Sequence, residues 1–278
     1  MKRIVTIQDI SCVGKCSLTV ALPIISAMGT EAAVIPTAVL STHTAFKDFT
    51  FCDLTKEITP ITEHWKSTGI SFDAIYTGYL GSFEQIELTK KLIEDFKTEE
   101  NIILVDPAMA DEGKLYKGFT VDFAKRMASL CAKADIIVPN LTEASFMLGI
   151  PCVEGGYDEE YIKDILRKLA ALGCKTAVLT GVSFEAGKMG VMSYNSETGK
   201  YFSYFRERIP ESFHGTGDVY ASTFLGALMR GRSVEDALMV ATDFTVESIK
   251  ATLDSSPDRK YGVNFESAVP YLVSRMDK

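Results

Sequence analysis

Ile136-Ile137-Val138-Pro139-Asn140-Leu141-Thr142-Glu143 reads as a short apolar strand, a turn and the opening of a helix. β-Branched residues favour the strand, and Pro-Asn is turn chemistry that ends it. The same unit recurs along the chain. Strand-like runs are Ile4 to Ile7, Ala33 to Val39, Ala74 to Thr77, Ile102 to Val105, Ile136 to Val138 and Ala177 to Leu179. Between them the periodicity predicts helices near 17–28, 54–67, 83–97, 120–132, 142–148 and 158–172. The strand runs are apolar on both faces, which suits a parallel sheet covered by helices on both sides. This alternation gives an α/β fold with a mainly parallel central sheet. Ser82 with Gln85 resembles a capping box.

The pattern then changes. Met189 to Tyr194 and Lys200 to Phe205 read as a strand pair joined by the turn Asn195-Ser196-Glu197-Thr198-Gly199. The chain after Asp218 is mostly helical, with Ser233 and Asp236 as the cap of a helix over 234–251. There is no internal repeat, low-complexity tract or linker, so a single domain over 1–278 is expected, without a separate lid domain.

The 278 residues carry 29 Lys plus Arg against 37 Asp plus Glu, a net charge of −8. With no long basic cluster, this excludes a sequence-independent nucleic-acid binder and an anionic-membrane binder. No apolar run approaches the roughly 18 residues of a membrane span. Met1-Lys2-Arg3-Ile4-Val5 leads at once into a strand, with no hydrophobic region and cleavage site behind it. Cys12, Cys16, Cys52, Cys131, Cys152 and Cys174 do not form a disulfide framework, and His43, His64 and His214 lack zinc-ligand spacing. Reduced thiols in a cytoplasmic protein are expected.

The chemistry concentrates at His214-Gly215-Thr216-Gly217-Asp218, which precedes an apolar helix. Two glycines at a helix entry leave backbone N–H groups uncovered and able to accept an anion. A carboxylate beside an anion site makes sense as the acceptor of a proton from a hydroxyl that attacks a phosphoryl group. The structural alternative is Asp218 as a capping residue. No Walker A loop and no Gly-x-Gly-x-x-Gly occurs.

Open α/β sheets bind ligands beyond the carboxyl ends of their strands. Those ends carry Gln8-Asp9 with Ser11, Ser41-Thr42-His43-Thr44, Thr77-Gly78-Tyr79, Asp106-Pro107-Ala108-Met109, Asn140 with Glu143, and Thr180-Gly181. Asn140 and Glu143, three apart on a first helical turn, could hold Mg²⁺ directly or through water. Alternatively, Glu143 is only a favourable charge at a helix N-terminus. His43 alone reads better as a hydrogen-bonded structural histidine. Tyr79 could stack on a flat ligand or pack on a neighbouring helix.

Together these motifs resemble the ribokinase-like superfamily and, within it, the pyridoxal (pyridoxine, pyridoxamine) kinases. Gly215-Thr216-Gly217-Asp218 is similar to the superfamily's anion hole and base, and Asn140-Leu141-Thr142-Glu143 to its magnesium motif. Ser41-Thr42-His43-Thr44, Gly78-Tyr79-Leu80-Gly81-Ser82 and Asp106-Pro107-Ala108-Met109 have counterparts in the narrower family. The resemblance runs from Gln8 to about Leu228. It implies a three-layer α/β/α sandwich and ATP-dependent phosphorylation of the 5′-hydroxymethyl group of a B6 vitamer. Asp218 would be the base, and Gly215, Thr216 and Gly217 the anion hole. Asp9, Ser11, His43, Thr44 and Tyr79 would face the substrate. Asp106, Asn140, Glu143, Thr180 and Gly181 would serve ATP, with Mg²⁺ and a monovalent cation as further candidates. Asp111 to Lys117 lies where the family has a mobile flap. A cytoplasmic homodimer acting on a small molecule is implied.

Two positions depart from the family. Asp9 stands where a serine is usual, and Ala110 where glycine is usual. Asp9 could bond a ring N–H⁺ or favour another hydroxylated ligand, so hydroxymethylpyrimidine kinase is the alternative activity. A vitamer-binding protein without turnover is the non-enzymatic alternative. A sugar kinase is disfavoured, because the chain passes from Asp9 through Gly14 into a helix rather than into a β lid.

Overall fold

A computed structural model describes residues 1–153, 155–255 and 259–277. The chain divides into two compact units, Met1–Asp73 with Ile209–Lys278, and Ala74–Arg208.

The first unit opens with β1 (Arg3–Ser11), α1 (Leu18–Ala27) and β2 (Glu31–Leu40). β1 and β2 pair in parallel through the α1 crossover. Both are longer than their apolar cores suggest. β1 runs past Gln8-Asp9 because its pairing shifts register between Gln8 and Ile10, opposite Pro36 and Val39. Pro36 has no N–H to give the ladder, and the irregularity falls beside it. Asp9 thus sits inside the strand rather than at its end. β3 (Phe51–Asp53) is a three-residue exposed strand antiparallel to β2, too short to leave a sequence pattern. The Oδ1 of Asp53 accepts the Thr55 N–H at 2.8 Å as α2 (Thr55–Ser67) begins.

The second unit contains β4 (Ala74–Thr77), α3 (Phe83–Phe96), β5 (Ile102–Val105), the hairpin β6 (Ala110–Asp111) and β7 (Lys114–Leu115), and α4 (Val121–Cys131). It continues with β8 (Ile136–Ile137), α5 (Leu141–Leu148), α6 (Glu159–Ala170), β9 (Thr176–Val182), β10 (Lys188–Asn195) and β11 (Lys200–Glu207). β4, β5, β8 and β9 are parallel neighbours. β10 and β11 extend them antiparallel, as the strand-pair reading expected. β4 is buried throughout, as a strand covered on both faces must be. Ser82 caps α3 by accepting the Gln85 N–H at 3.1 Å, and the Gln85 side chain accepts from Gly81 at 2.7 Å.

The chain then returns to the first unit with α7 (Thr216–Met229), α8 (Val234–Ser255) and α9 (Val269–Met276). Residues Val219 to Ala227 of α7 are all buried. A helix apolar all round belongs in a core, and α7 packs against both α1 and α8. No helix of the described residues is long and apolar enough to cross a membrane. All six cysteines are free thiols.

Ser233 Oγ accepts the Asp236 N–H at 3.1 Å, capping α8. Ser233→Ala should therefore cost about 1 kcal/mol of unfolding free energy, read by urea denaturation. An unchanged midpoint would show that the cap contributes nothing.

Candidate active site

The turn that opens α7 is built around Gly215, whose φ is 83°. A Cβ there would meet the Lys15 carbonyl oxygen at 2.1 Å, so only glycine allows this approach. The first intrahelical bond runs from the Val219 N–H to Gly215 O, at 2.9 Å. The N–H groups of Thr216, Gly217 and Asp218 precede it, at the positive end of the helix dipole. Nothing would crowd a Cβ at Gly217, so the turn is open where an anion would approach.

Asp218 is half-buried on the first turn of α7. Its Oδ2 accepts the Ser17 N–H at 2.9 Å. Burial pushes its carboxyl up to about 7, the Ser17 N–H opposes this, and the nearby charge of Asp9 adds to it. A carboxylate of this basicity beside free helix N–H groups can take a proton from a hydroxyl while the amides hold developing negative charge.

Asp9 is 5% exposed. Its Oδ1 accepts from the Ser17 hydroxyl at 2.5 Å and its Oδ2 from the Ser11 hydroxyl at 3.5 Å. Burial raises its carboxyl pKa, and the serine contacts counter that. Cys16 lies beside the pair and donates to Ser11 Oγ at 3.5 Å. Burial, with the charges of Asp218 and Asp9, pushes its thiol up to about 12, so it stays protonated and unreactive.

His43 is buried, and both its ring nitrogens are engaged by backbone. Nδ1 accepts from Ala45 N–H at 3.3 Å and Nε2 pairs with the Lys260 carbonyl, which fixes the neutral Nε2–H tautomer. Burial lowers its pKa, consistent with that form. What His43 can offer a ligand is its ring. Its centroid lies 5.1 Å from that of His214 and 5.0 Å from that of Phe46, and Tyr261 meets Phe46 at 5.6 Å. Thr44 is exposed on the adjoining loop. In this unit the structure brings Asp9, Ser11 and Asp218 together through Ser17, and sets His43 against His214 next to the glycine turn. Sequence reading missed Ser17 and the segment 260–264. Lys15 N–H donates to Tyr261 O at 2.9 Å, and Val263 N–H to His214 O at 3.1 Å. Only Gly262 in that segment marks it as more than a tail.

In the second unit Tyr79 stacks on Phe119 with centroids 5.6 Å apart, and Phe119 stacks on Phe123 at 4.0 Å. The packing role of Tyr79 is thus realised, and it stays partly exposed. Asp106 is buried, with its N–H on Thr77 O at 2.9 Å. Asn140 and Glu143 form a complete capping box for α5. Asn140 Oδ1 accepts the Glu143 N–H at 2.8 Å, and Glu143 Oε2 accepts the Asn140 N–H at 2.9 Å. Glu143 Oε1 also accepts the Met109 N–H at 3.1 Å, and Asn140 Nδ2 donates to Ala110 O at 2.9 Å. Burial pushes the Glu143 carboxyl up, against backbone N–H groups that favour its charged form. Among the described residues no cluster of His, Cys, Asp and Glu suits a metal ion. The side-chain oxygens of Asn140 and Glu143 are already engaged by backbone N–H groups, so of the two Mg²⁺ arrangements these contacts suit the water-mediated one better than direct ligation.

Thr180 N–H donates to Pro139 O at 3.0 Å, beside Asn140, and Gly181 is exposed with a φ of 73°. Gly181 also lines a cavity of about 230 Å³ with Tyr157, Ser183 and Arg208. The β6–β7 hairpin occupies the expected flap position, held by Gly113 N–H on Thr142 Oγ1 at 3.1 Å. Ala110 is buried with an ordinary backbone conformation, so alanine replaces the usual glycine there without strain.

The family model for phosphomethylpyrimidine kinase matches residues 22–262. Bacillus subtilis pyridoxine kinase is 30% identical over 198 residues, 69% of this chain and 68% of that protein. The chain belongs to the pyridoxal kinase family. The kinase also matches solved structures over nearly its whole length. A protein of Bacteroides thetaiotaomicron, provisionally assigned as a phosphomethylpyrimidine kinase and crystallised with pyridoxal, shares 38% identity. The match has a TM-score of 0.93 and covers 100% of this chain and 96% of that one. Pyridoxal kinase of Lactobacillus plantarum superposes with a TM-score of 0.90 at 29% identity, over 99% of this chain and 97% of that one. These relatives confirm the α/β fold and the kinase assignment.

If the capping box is structural, Glu143→Gln should destabilise the protein by about 1–3 kcal/mol with chelator present and no nucleotide. A role confined to metal binding would leave the urea midpoint in chelator unchanged.

Proposed function

We propose that the protein transfers the γ-phosphoryl group of ATP to the 5′-hydroxymethyl group of a B6 vitamer. One observation carries the reading: Asp218, raised in basicity and pinned by the Ser17 N–H, stands on the first turn of α7 behind an open glycine turn. In this reading Asp218 takes the hydroxyl proton as the oxygen attacks phosphorus, and ADP leaves. The N–H groups of Thr216, Gly217 and Asp218 stabilise the charge on the transferring group. Asp9, Ser11, His43, Thr44 and Tyr79 form the acceptor side of this proposal. Asp106, Asn140, Glu143, Thr180 and Gly181 form the donor side, with Asn140 and Glu143 acting by shaping the backbone. The pyridoxal-bound relative and the pyridoxine kinase relative support the vitamer. The homodimer and cytoplasmic location implied by the family belong to the same reading.

A second reading, hydroxymethylpyrimidine kinase, is favoured by the family model and by Asp9 in place of serine. Both alcohols are small heteroaromatic hydroxymethyl compounds and call for the same base.

Asp218→Ala should lower kcat by about 10²–10⁴-fold with little change in ATP affinity. Turnover equal to wild type would remove Asp218 from the mechanism. A base whose carboxyl is raised to about 7 must lose its proton before it can act. The kcat/KM of the wild type should therefore fall as pH drops through about 7. A profile flat from pH 8 down to pH 5 contradicts the assignment.

A further inference from the structure

Ser17 is one of few non-glycine residues with positive φ among the described residues, at φ 52° and ψ −130°. That region is sterically costly for any residue with a Cβ. Ser17 also stands at the N-cap of α1, where a serine hydroxyl ordinarily accepts a helix N–H, yet it makes no such bond. Its two polar groups go elsewhere. The N–H donates to Asp218 Oδ2 at 2.9 Å and the hydroxyl donates to Asp9 Oδ1 at 2.5 Å. Ser17 is itself buried, at 5% exposure. A residue that is strained and gives up its cap is being held there by what its polar groups grip.

We propose that Ser17 is a positioning residue that fixes the spacing and orientation of the Asp9 and Asp218 carboxylates, so that the acceptor's ring contact and its proton acceptor are set by one side chain and one amide. The inference rests on the kinase reading above. Bonded to Asp9, the hydroxyl opposes the rise in carboxyl pKa that burial causes, and aims the carboxylate. Bonded to Asp218, the amide holds the base at the head of α7. The titratable groups facing Asp218 are Asp9 from β1 and Cys16 from the loop before α1, and the thiol remains protonated. Ser17 links the residue that departs from the family pattern to the one that does not. This explains how an aspartate is accommodated at position 9.

The test compares Ser17→Ala, Ser17→Gly, Asp9→Asn and the Ser17→Ala/Asp9→Asn double variant. Both Ser17 variants keep the amide and lose the hydroxyl, and only glycine relieves the strain. Both should lower kcat about tenfold or more, with the KM for ATP within about twofold of wild type. The acid limb of kcat/KM should move to lower pH in Asp9→Asn, which removes the negative charge near Asp218, and in Ser17→Ala, where Asp9 without its hydroxyl donor takes up a proton more readily. In the double variant Ser17→Ala should add less than about twofold in kcat to the loss from Asp9→Asn. The glycine variant should melt above the alanine variant. Unchanged kcat and pH limb in the Ser17 variants, or fully additive losses, would overturn the proposal. So would an alanine variant at least as stable as the glycine variant. If the wild type phosphorylates no alcohol, the kinase reading fails on its own. The urea-denaturation cycle across Ser17 and Asp9 then decides the link, with non-additive losses supporting it and additive losses refuting it.

Discussion

The Ser17 N–H on Asp218 ties the loop after β1 to the head of a buried helix. That loop is gripped along its length. Cys12 N–H bonds Leu40 O at 2.8 Å, Lys15 N–H bonds Tyr261 O at 2.9 Å, and Gly215 lies against the Lys15 carbonyl. Because α7 is enclosed by the core of its unit, the helix cannot rotate to relax the aspartate. The carboxylate therefore keeps its place and its raised basicity together. Burial and position are one constraint here, since the same packing that fixes Asp218 also strips away the water that would otherwise keep its pKa low.

The second unit solves a different problem with the same means. Asn140 and Glu143 satisfy the orphan N–H groups of α5 and at the same time hold the backbone of Met109 and Ala110. A buried carboxylate is costly, and this one is retained by several backbone donors and a helix N-terminus. In this fold Asn140 and Glu143 form first a clasp between the start of α5 and the segment that runs from Met109 into β6. Thr142, inside the same motif, reaches the β6–β7 hairpin.

Much of this was legible from the chain. The apolar runs Ala74 to Thr77 and Ile102 to Val105 coincide with β4 and β5, because strands buried on both faces carry an uninterrupted apolar signal. The glycine turn and Asp218 were legible because helix-entry chemistry is local. What was not legible depends on distant partners. The continuation of β1 through Asp9 depends on the register shift opposite Pro36, which no local pattern in β1 reports. β3 and the β6–β7 hairpin are too short for periodicity. The role of Ser17 needed its φ, and the segment 260–264 needed His43 to give it meaning. His43 shows the limit: its sequence neighbours do not reveal that both ring nitrogens bond backbone, at Ala45 and at the distant Lys260.

The acceptor proposed for this site is a B6 vitamer. The most direct measurement is ADP release from Mg-ATP with pyridoxal, pyridoxine, pyridoxamine, hydroxymethylpyrimidine and ribose in parallel. A B6 vitamer kinase should show a kcat/KM for at least one vitamer well above those for hydroxymethylpyrimidine and ribose. A preference for hydroxymethylpyrimidine or ribose, or tight vitamer binding with no ADP formed, would contradict it.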